Sequence, residues 1–263
     1  MKITLLTIDP QNDFCDPNGS LYVNGAEKDM DRLASMLIKH KEKIDDVRVT
    51  LDSHQVVHVA HPIFWVDSNG NHPSPFTPIS LEDVKNGKYK TYNPSFQSRA
   101  ESYVRKLEEN GRYSLFIWPE HCLIGTKGYA VFPSFSDALI EWQKEFALVD
   151  WVTKGSNPFT EHYSAIQADV LDPEDPSTDI NTSFIQRLQE ADRILVSGQA
   201  SSHCVKTTIE DCVDQFGEEQ AKKLVLLEDC MSPVTGFESF HDDFMNWAKS
   251  KGIQITTSDK FFS

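Results

Sequence analysis

Arg193-Ile-Leu-Val-Ser-Gly-Gln-Ala-Ser-Ser-His-Cys-Val-Lys-Thr-Thr-Ile-Glu-Asp211 reads as a buried strand that turns directly into a helix. The apolar run is followed by glycine as a turn signal, and a helix-like segment starts at His203. Cys204 falls at the junction. There the first N–H groups of a helix point outward and the helix dipole is positive, so a developing anion is stabilised. That setting is expected to lower a thiol's pKa and suits a nucleophile. Free cysteines are also commonly inert core residues, so position alone leaves both readings open.

Outward from this junction, strand-like and helix-like runs alternate. Strands are expected over 3–8, 47–51, 147–152, 193–200, 224–227 and 253–256, with helices over 27–43, 135–146, 183–190, 203–211 and 236–251. In the 27–43 helix, Met30, Leu33, Leu37 and Ile38 should share the buried face. Such alternation predicts an α/β fold, an open and mostly parallel central sheet with helices on both faces. Ligands of open sheets gather outside the carboxyl ends of the strands. Asp9, Asp52, Lys154 and the 198–204 turn all fall at such ends. The stretch at about 62–111 breaks the rhythm with His72-Pro-Ser-Pro-Phe-Thr-Pro78 before a helix expected over 95–109. It reads as an inserted, loop-rich segment of one 1–263 domain, either a lid or interaction element or a surface elaboration. Its aromatics (Phe64, Trp65, Phe76, Tyr89, Tyr92 and Phe96) favour packing over disorder.

The 263 residues carry a formal charge of −15, which argues against nucleic acid and anionic membranes as partners. No apolar stretch is long enough to span a bilayer, and the first residues run into a strand without a signal-peptide pattern. Cys15, Cys122, Cys204, Cys212 and Cys230 are an odd number without paired spacing, as expected for reduced thiols in the cytoplasm. Cys212 and Cys230 read as small buried apolar residues.

Asp9, in Thr7-Ile-Asp-Pro-Gln-Asn-Asp-Phe14, could accept a proton from a thiol and later help activate water. The plainer reading is a carboxylate at a turn built by Asn12 and Asp13. Lys154 could stabilise a thiolate or orient Asp9, or be a solvated lysine. Asp52-Ser-His54 places a carboxylate and an imidazole two residues apart, with His58, His61 and His121 in nearby loops. Oxygen and imidazole donors with positions left for water suit zinc, iron or manganese, although loop histidines are often only surface residues.

Five motifs then stand in a telling order: Asp9-Pro-Gln-Asn-Asp-Phe14, Asp52-x-His54, Trp118-Pro-x-His121-Cys122, Lys154-Gly155 and Gly198-x-Ala200-x-x-x-Cys204-Val205. The chain resembles the nicotinamidases among the isochorismatase-like cysteine hydrolases. Leu226-Leu-Glu-Asp-Cys230, His241 and Gly252-Ile-Gln-Ile-Thr256 extend that resemblance over nearly all the chain except about 62–111. It implies an isochorismatase-like three-layer sandwich and a catalytic triad of Asp9, Lys154 and Cys204. It implies a divalent metal, zinc first with iron or manganese as alternatives, held by Asp52, His54 and His121 with His58 beside it. The oxyanion hole would use the N–H groups of Ala200 and Cys204, after a cis peptide joining Gln199 to Ala200. Phe14, Trp118 and Tyr163 would wall a flat ring, with Gln199 also at the substrate.

The activity so implied is hydrolysis of nicotinamide to nicotinate and ammonia through a Cys204 thioester, in NAD salvage. A small carboxamide is the expected partner, in a cytoplasmic and self-associating protein. Ser53, Gln199 and Ile166 depart from the family's usual residues, and the loop after His58 is longer than usual. These leave open a related hydrolase acting on another small amide, a ureido compound or isochorismate. A non-catalytic binding protein on the same fold is the rival from another class.

Overall fold

The computed structural model describes residues 1–263, with every side chain except that of Glu218. In chain order the main elements are β1 (Ile3–Ile8), α1 (Ala26–Lys39), β2 (Asp46–Asp52), α2 (Gln97–Asn110), α3 (Pro133–Gln143) and β3 (Val149–Lys154). There follow α4 (Thr182–Gln189), β4 (Arg193–Gly198), α5 (Cys204–Phe216), β5 (Leu224–Leu227), α6 (Glu238–Ser250) and β6 (Gln254–Thr256). Among the described residues the six strands form one sheet in the order β6-β5-β4-β1-β2-β3, with every neighbouring pair parallel.

The strands occupy the positions their composition dictates. All residues of β1 and β5 are buried, as in the interior of a parallel sheet covered on both faces. β3 is the sheet edge, and its Trp151 is 47% exposed. It runs over Val149–Lys154, starting where pairing with Val47 begins, so Ala147 and Leu148, expected in this strand, lie outside it. Another correction concerns α1, which ends at Lys39 and gives way to a separate 3-10 turn at Lys41–Lys43. Met30, Leu33 and Leu37 are buried as expected, but Ile38 is 43% exposed. Successive helix residues are about 100° apart, so Ile38 turns off the stripe that Leu37 completes.

The chain leaves β1 toward β2 and β3, then returns to the other side of β1 at β4. This reversal opens a crevice beyond the carboxyl ends of β1 and β4. Gly198 makes the two ends meet closely. Its φ is +115°, and a Cβ there would lie 2.0 Å from the Ile8 carbonyl oxygen.

The 62–111 stretch is more structured than its sequence suggests. Trp65–Asp67 pairs antiparallel with Tyr89–Thr91, and Pro78–Ile79 with Leu115–Phe116. Trp65 is fully buried and its indole N–H donates to the Val59 carbonyl at 2.6 Å. Phe96 stacks on Phe64 and meets Phe159 edge-on, which ties the segment to the loop after β3. Trp65→Ala is therefore expected to cost about 3–5 kcal/mol, by the loss of a buried indole and the cavity it leaves. Urea unfolding should show this as a lower midpoint.

Candidate active site

Asp9 follows β1 with a φ of 45°, in the left-handed region that costs a non-glycine residue about 1–3 kcal/mol. Thr50 of β2 holds it there, accepting the Asp9 N–H at 3.0 Å and donating its hydroxyl to Oδ1 at 2.5 Å. The other carboxylate oxygen lies 2.8 Å from Lys154 Nζ. That ammonium is also 3.1 Å from Asp52 Oδ1 and 3.6 Å from Cys204 Sγ. Strand ends β1, β2, β3 and the β4–α5 turn thus converge on one buried cation. Their residues are separated by up to 195 positions in the chain, as Asp9 and Cys204 are.

Burial would strip Lys154 of its charge, but Asp52 and Asp9 outweigh it and hold the lysine well above its ordinary pKa. Burial raises the Asp9 carboxyl, with Lys154 pulling part of the way back. Asp52 is buried too, yet His54 and Lys154 hold it well below the usual carboxylate range. The two carboxylates on one lysine therefore differ, with Asp52 the firm anion and Asp9 the better proton acceptor and donor.

Cys204 corrects the expectation of a lowered thiol pKa. Burial pushes the thiol well up, Lys154 offsets part of this, and the neighbouring Asp9 and Asp52 raise it further. The resting sulfur is a thiol that needs a base. Around it, Ser201 N–H donates to the Ser232 carbonyl, and His203 and Val205 N–H both donate to that of Ala200. The N–H groups of Ala200 and Cys204 reach no acceptor among the described residues. The Gln199–Ala200 peptide is cis.

Asp52 Oδ2 lies 2.9 Å from His54 Nε2 and 3.4 Å from His121 Nε2. The Nδ1 atoms of these histidines face backbone carbonyls, Gly155 at 3.1 Å and Pro119 at 2.8 Å. A carbonyl only accepts, so both rings carry their proton on Nδ1 and present Nε2 lone pairs beside a carboxylate. One oxygen and two imidazole donors, each held from behind, fit a divalent metal of the zinc, iron or manganese kind. The rings of His58 and His61 lie 4.4 and 5.3 Å from that of His54.

The Asp9-Pro-Gln-Asn-Asp-Phe14 motif turns out to be mostly a clamp. Gln11 exchanges two 2.8 Å hydrogen bonds with the Asp52 backbone, and Asp13 Oδ2 accepts the Cys122 N–H at 2.7 Å. His54 and the 122–124 segment are stitched together by backbone bonds, so His121 is held against His54. Sequence reasoning took Asn12 and Asp13 as local turn formers and missed the roles of Gln11, Asp13 and Thr50. The polar residues beside an otherwise apolar strand were the available signal. Gly155 is equally constrained, with a φ of +84° and a hypothetical Cβ 2.8 Å from Asp52 Oδ1 and 3.1 Å from His54 Cε1. Gly155→Ala should therefore displace both groups and weaken metal binding at least about tenfold. Metal content per folded chain, with near-ultraviolet circular dichroism as the folding check, would show it.

A cavity of about 400 Å³ opens beside His203, the residue before the nucleophile. Trp118, Tyr163, Tyr113, His203, Phe237 and Phe240 line it, with Pro78 and Glu108 of the 62–111 stretch at its margin. Trp118 Nε1 donates to the Tyr163 hydroxyl at 2.8 Å, which fixes the two rings expected around a flat substrate. Tyr113, His203, Phe237 and Phe240 were not anticipated, being scattered singly through the sequence. Phe14 and Gln199 are not among the lining residues. Phe14 packs edge-on against His121. The Gln199 amide donates to Asp29 Oδ2 at 2.9 Å and accepts the Ser232 N–H at 3.2 Å, so it is spent bracing α1.

No family model matches this chain. The nicotinamidase of Saccharomyces cerevisiae is 25% identical over 205 residues, 78% of this chain and 78% of the relative. The structure of the yeast nicotinamidase Pnc1p bound to the inhibitor nicotinaldehyde aligns with a TM-score of 0.67 at 19% identity, over 97% of this chain and 99% of that one. The pyrazinamidase of Pyrococcus horikoshii in complex with zinc aligns with a TM-score of 0.57 at 18% identity, over 98% and 99%. The structural likenesses establish the fold, and the sequence likeness runs in the same direction as the five motifs.

Proposed function

We propose that this chain, which has the fold of the isochorismatase-like cysteine hydrolases, hydrolyses nicotinamide to nicotinate and ammonia through a thioester on Cys204. The observation that carries the proposal is the single buried ammonium of Lys154, within 2.8 Å of Asp9 and 3.6 Å of Cys204. A binding protein has no use for an acid, a cation and a thiol gathered in this way.

Asp9 takes the proton of the Cys204 thiol as the sulfur attacks the carboxamide carbon. Its raised pKa makes it a competent acceptor, and Lys154 keeps the charged pair stable while the proton is in transit. The carbonyl oxygen becomes an oxyanion facing the free N–H groups of Ala200 and Cys204. Asp9 returns the proton to the departing nitrogen, so ammonia leaves and a thioester remains. Water then gives a proton to Asp9 as it attacks the thioester, and the acid and the Cys204 thiol are restored. Trp118 and Tyr163 hold a flat ring by stacking. Asp52, His54 and His121 would hold the divalent ion, and when bound it supplies a positive centre for a ring-nitrogen lone pair or for water. Zinc is the proposed ion, supported by the imidazole and carboxylate donors and by the zinc in the Pyrococcus horikoshii structure.

The test is ammonia release from nicotinamide by the metal-replete protein. Turnover that needs both Cys204 and metal supports the proposal. A folded, metal-bound protein that releases none overturns the substrate and turns attention to other small amides. The margin contributed by Pro78 and Glu108 favours that second reading, since the 62–111 stretch there borders the cavity.

The same proposal treats 1–263 as one hydrolase unit acting in the cytoplasm. The five free, buried cysteines are in keeping with a reducing compartment, and among the described residues no helix is long and apolar enough to cross a membrane. Self-association is supported by the exposed Trp151 on the edge strand β3 and by the exposed Phe146 and Leu148 in the chain just before it.

A further inference from the structure

Five aromatic side chains of the cavity close a circuit about His203. Trp118 is hydrogen-bonded to Tyr163, the Tyr163 and Tyr113 rings lie 5.1 Å apart, and Tyr113 and Phe240 6.1 Å apart. Phe237 follows Phe240 at 5.6 Å and returns to Trp118 at 5.9 Å. The His203 imidazole lies between 4.8 and 6.2 Å from all five rings. The Tyr113 hydroxyl donates to the Ser202 carbonyl at 3.1 Å, so its ring is anchored to the turn that carries the nucleophile. A flat ring stacked on Trp118 and Tyr163 uses one arc of this circuit. Tyr113, Phe237 and Phe240 form the other arc of the same cavity, whose volume of about 400 Å³ suits a ligand larger than one ring and an amide. Pro78 and Glu108, at its margin, belong to the 62–111 stretch that stands outside the family resemblance.

His203 brings a polar group to these rings. Ser202 is fully buried, and its Oγ accepts the Val234 N–H at 3.1 Å and lies 2.9 Å from His203 Nδ1. That oxygen has no other partner among the described residues, so its hydroxyl proton goes to Nδ1 and the imidazole proton sits on Nε2. With the reverse assignment a buried hydroxyl would donate to nothing. Nδ1 makes the one side-chain hydrogen bond of His203 among the described residues, which leaves the Nε2–H for an occupant of the cavity. Burial pushes the imidazole down to about 3, with Lys206 lowering it further, so the ring is a neutral donor at neutral pH. Aromatic faces alone would also suit a cation, but a donor N–H among them calls for an acceptor.

We propose that the arc of Tyr113, Phe237 and Phe240 is a second substrate subsite. It takes an aromatic group carried by the carboxamide beyond its reacting ring, with an acceptor atom of that group on His203 Nε2–H. The substrate class is then a neutral two-ring carboxamide, with nicotinamide as its reacting half. The inference rests on the hydrolase proposal for the reaction but not for the binding.

Calorimetric titration of metal-loaded Cys204→Ala protein tests it, since a bound amide is not consumed. The ligands are nicotinamide and nicotinamides bearing a pyridyl or a phenyl group on a ring carbon away from the amide. A pyridyl-extended amide should bind about tenfold or more tightly than nicotinamide. It should also exceed its phenyl counterpart by about tenfold, the effect of one hydrogen bond to a donor otherwise left unpaired. Adding His203→Phe should remove the pyridyl advantage, and His203→Gln, whose amide nitrogen stands in for Nε2, should restore part of it. Phe240→Trp fills the second arc and should lower the ratio of extended to plain affinity. Extended amides that bind no more tightly than nicotinamide overturn the inference, as does a pyridyl advantage that survives His203→Phe. Hydrolysis of nicotinamide by the wild type alongside such a result leaves the hydrolase proposal standing. Tight binding of extended amides without ammonia release from any amide removes the hydrolase proposal and supports the subsite. If His203→Phe does not fold, the pyridyl-to-phenyl ratio and Phe240→Trp decide.

Discussion

Cys204→Ala is expected to reduce ammonia release from nicotinamide to background, a loss on the order of 10⁵-fold or more. The expectation is this large because Asp9, Lys154 and the free N–H groups all act on a bond made by the Cys204 sulfur. Without it, Asp9 has no proton to accept and the oxyanion site no adduct to hold. Metal content and the unfolding midpoint should stay close to wild type, since alanine differs from cysteine only by the loss of Sγ and Cys204 is not one of the residues placed at the metal. Retained turnover in the purified variant would sink the assignment of the nucleophile. Mass spectrometry of wild-type protein quenched during turnover should in turn find the acyl group on Cys204.

Asp9→Asn should lower turnover by roughly 10²–10⁴-fold, the usual contribution of a positioned acid–base group. Its second effect runs the other way. The thiol is held well up by burial and, after the opposing effect of Lys154, by the charges of Asp9 and Asp52. In the wild type, Cys204 should therefore react with iodoacetamide more slowly at neutral pH than a free cysteine, and faster as pH rises toward the thiol pKa. Removing the Asp9 charge leaves Lys154 beside the sulfur with less opposition. The thiolate is then favoured, and alkylation at a given pH should quicken while turnover falls. A variant that loses both in parallel would point to a displaced Cys204 and not to a missing base. Site-resolved alkylation across pH 6–10 distinguishes the two.

Some of this was legible in residue order. β1 and β5 are read at once because an interior strand of a parallel sheet needs apolar residues on both faces. Asp9, Asp52 and Lys154 were assignable to strand ends because each closes such a run. The cis peptide at Gln199–Ala200 was likewise expected from the family pattern. The helix ending at Lys39 and the exposure of Ile38 were not, because a one-residue change of helical phase is weakly marked in a mixed stretch such as Asp29 to Lys43.

By itself, the sequence determined the fold class, the order of the elements and the identity of the groups able to do chemistry. Those follow from local patterns of apolar residues and from side-chain types. Only the tertiary structure decided how the groups act. Lys154 serves Asp9, Asp52 and Cys204 together because three strand ends meet, and no local pattern encodes that meeting. The Cys204 thiol is raised and not lowered because desolvation by distant residues outweighs the helix start beside it. Gln199 is spent on Asp29 and Ser232, partners 170 and 33 positions away. His58 faces the Thr160 carbonyl at 3.2 Å and the Glu161 carboxylate at 4.0 Å, while His61, three residues on in the same loop, faces the Val56 carbonyl at 3.1 Å. Hydrogen-bond satisfaction is a property of the folded neighbourhood, and it separates the two where residue type cannot.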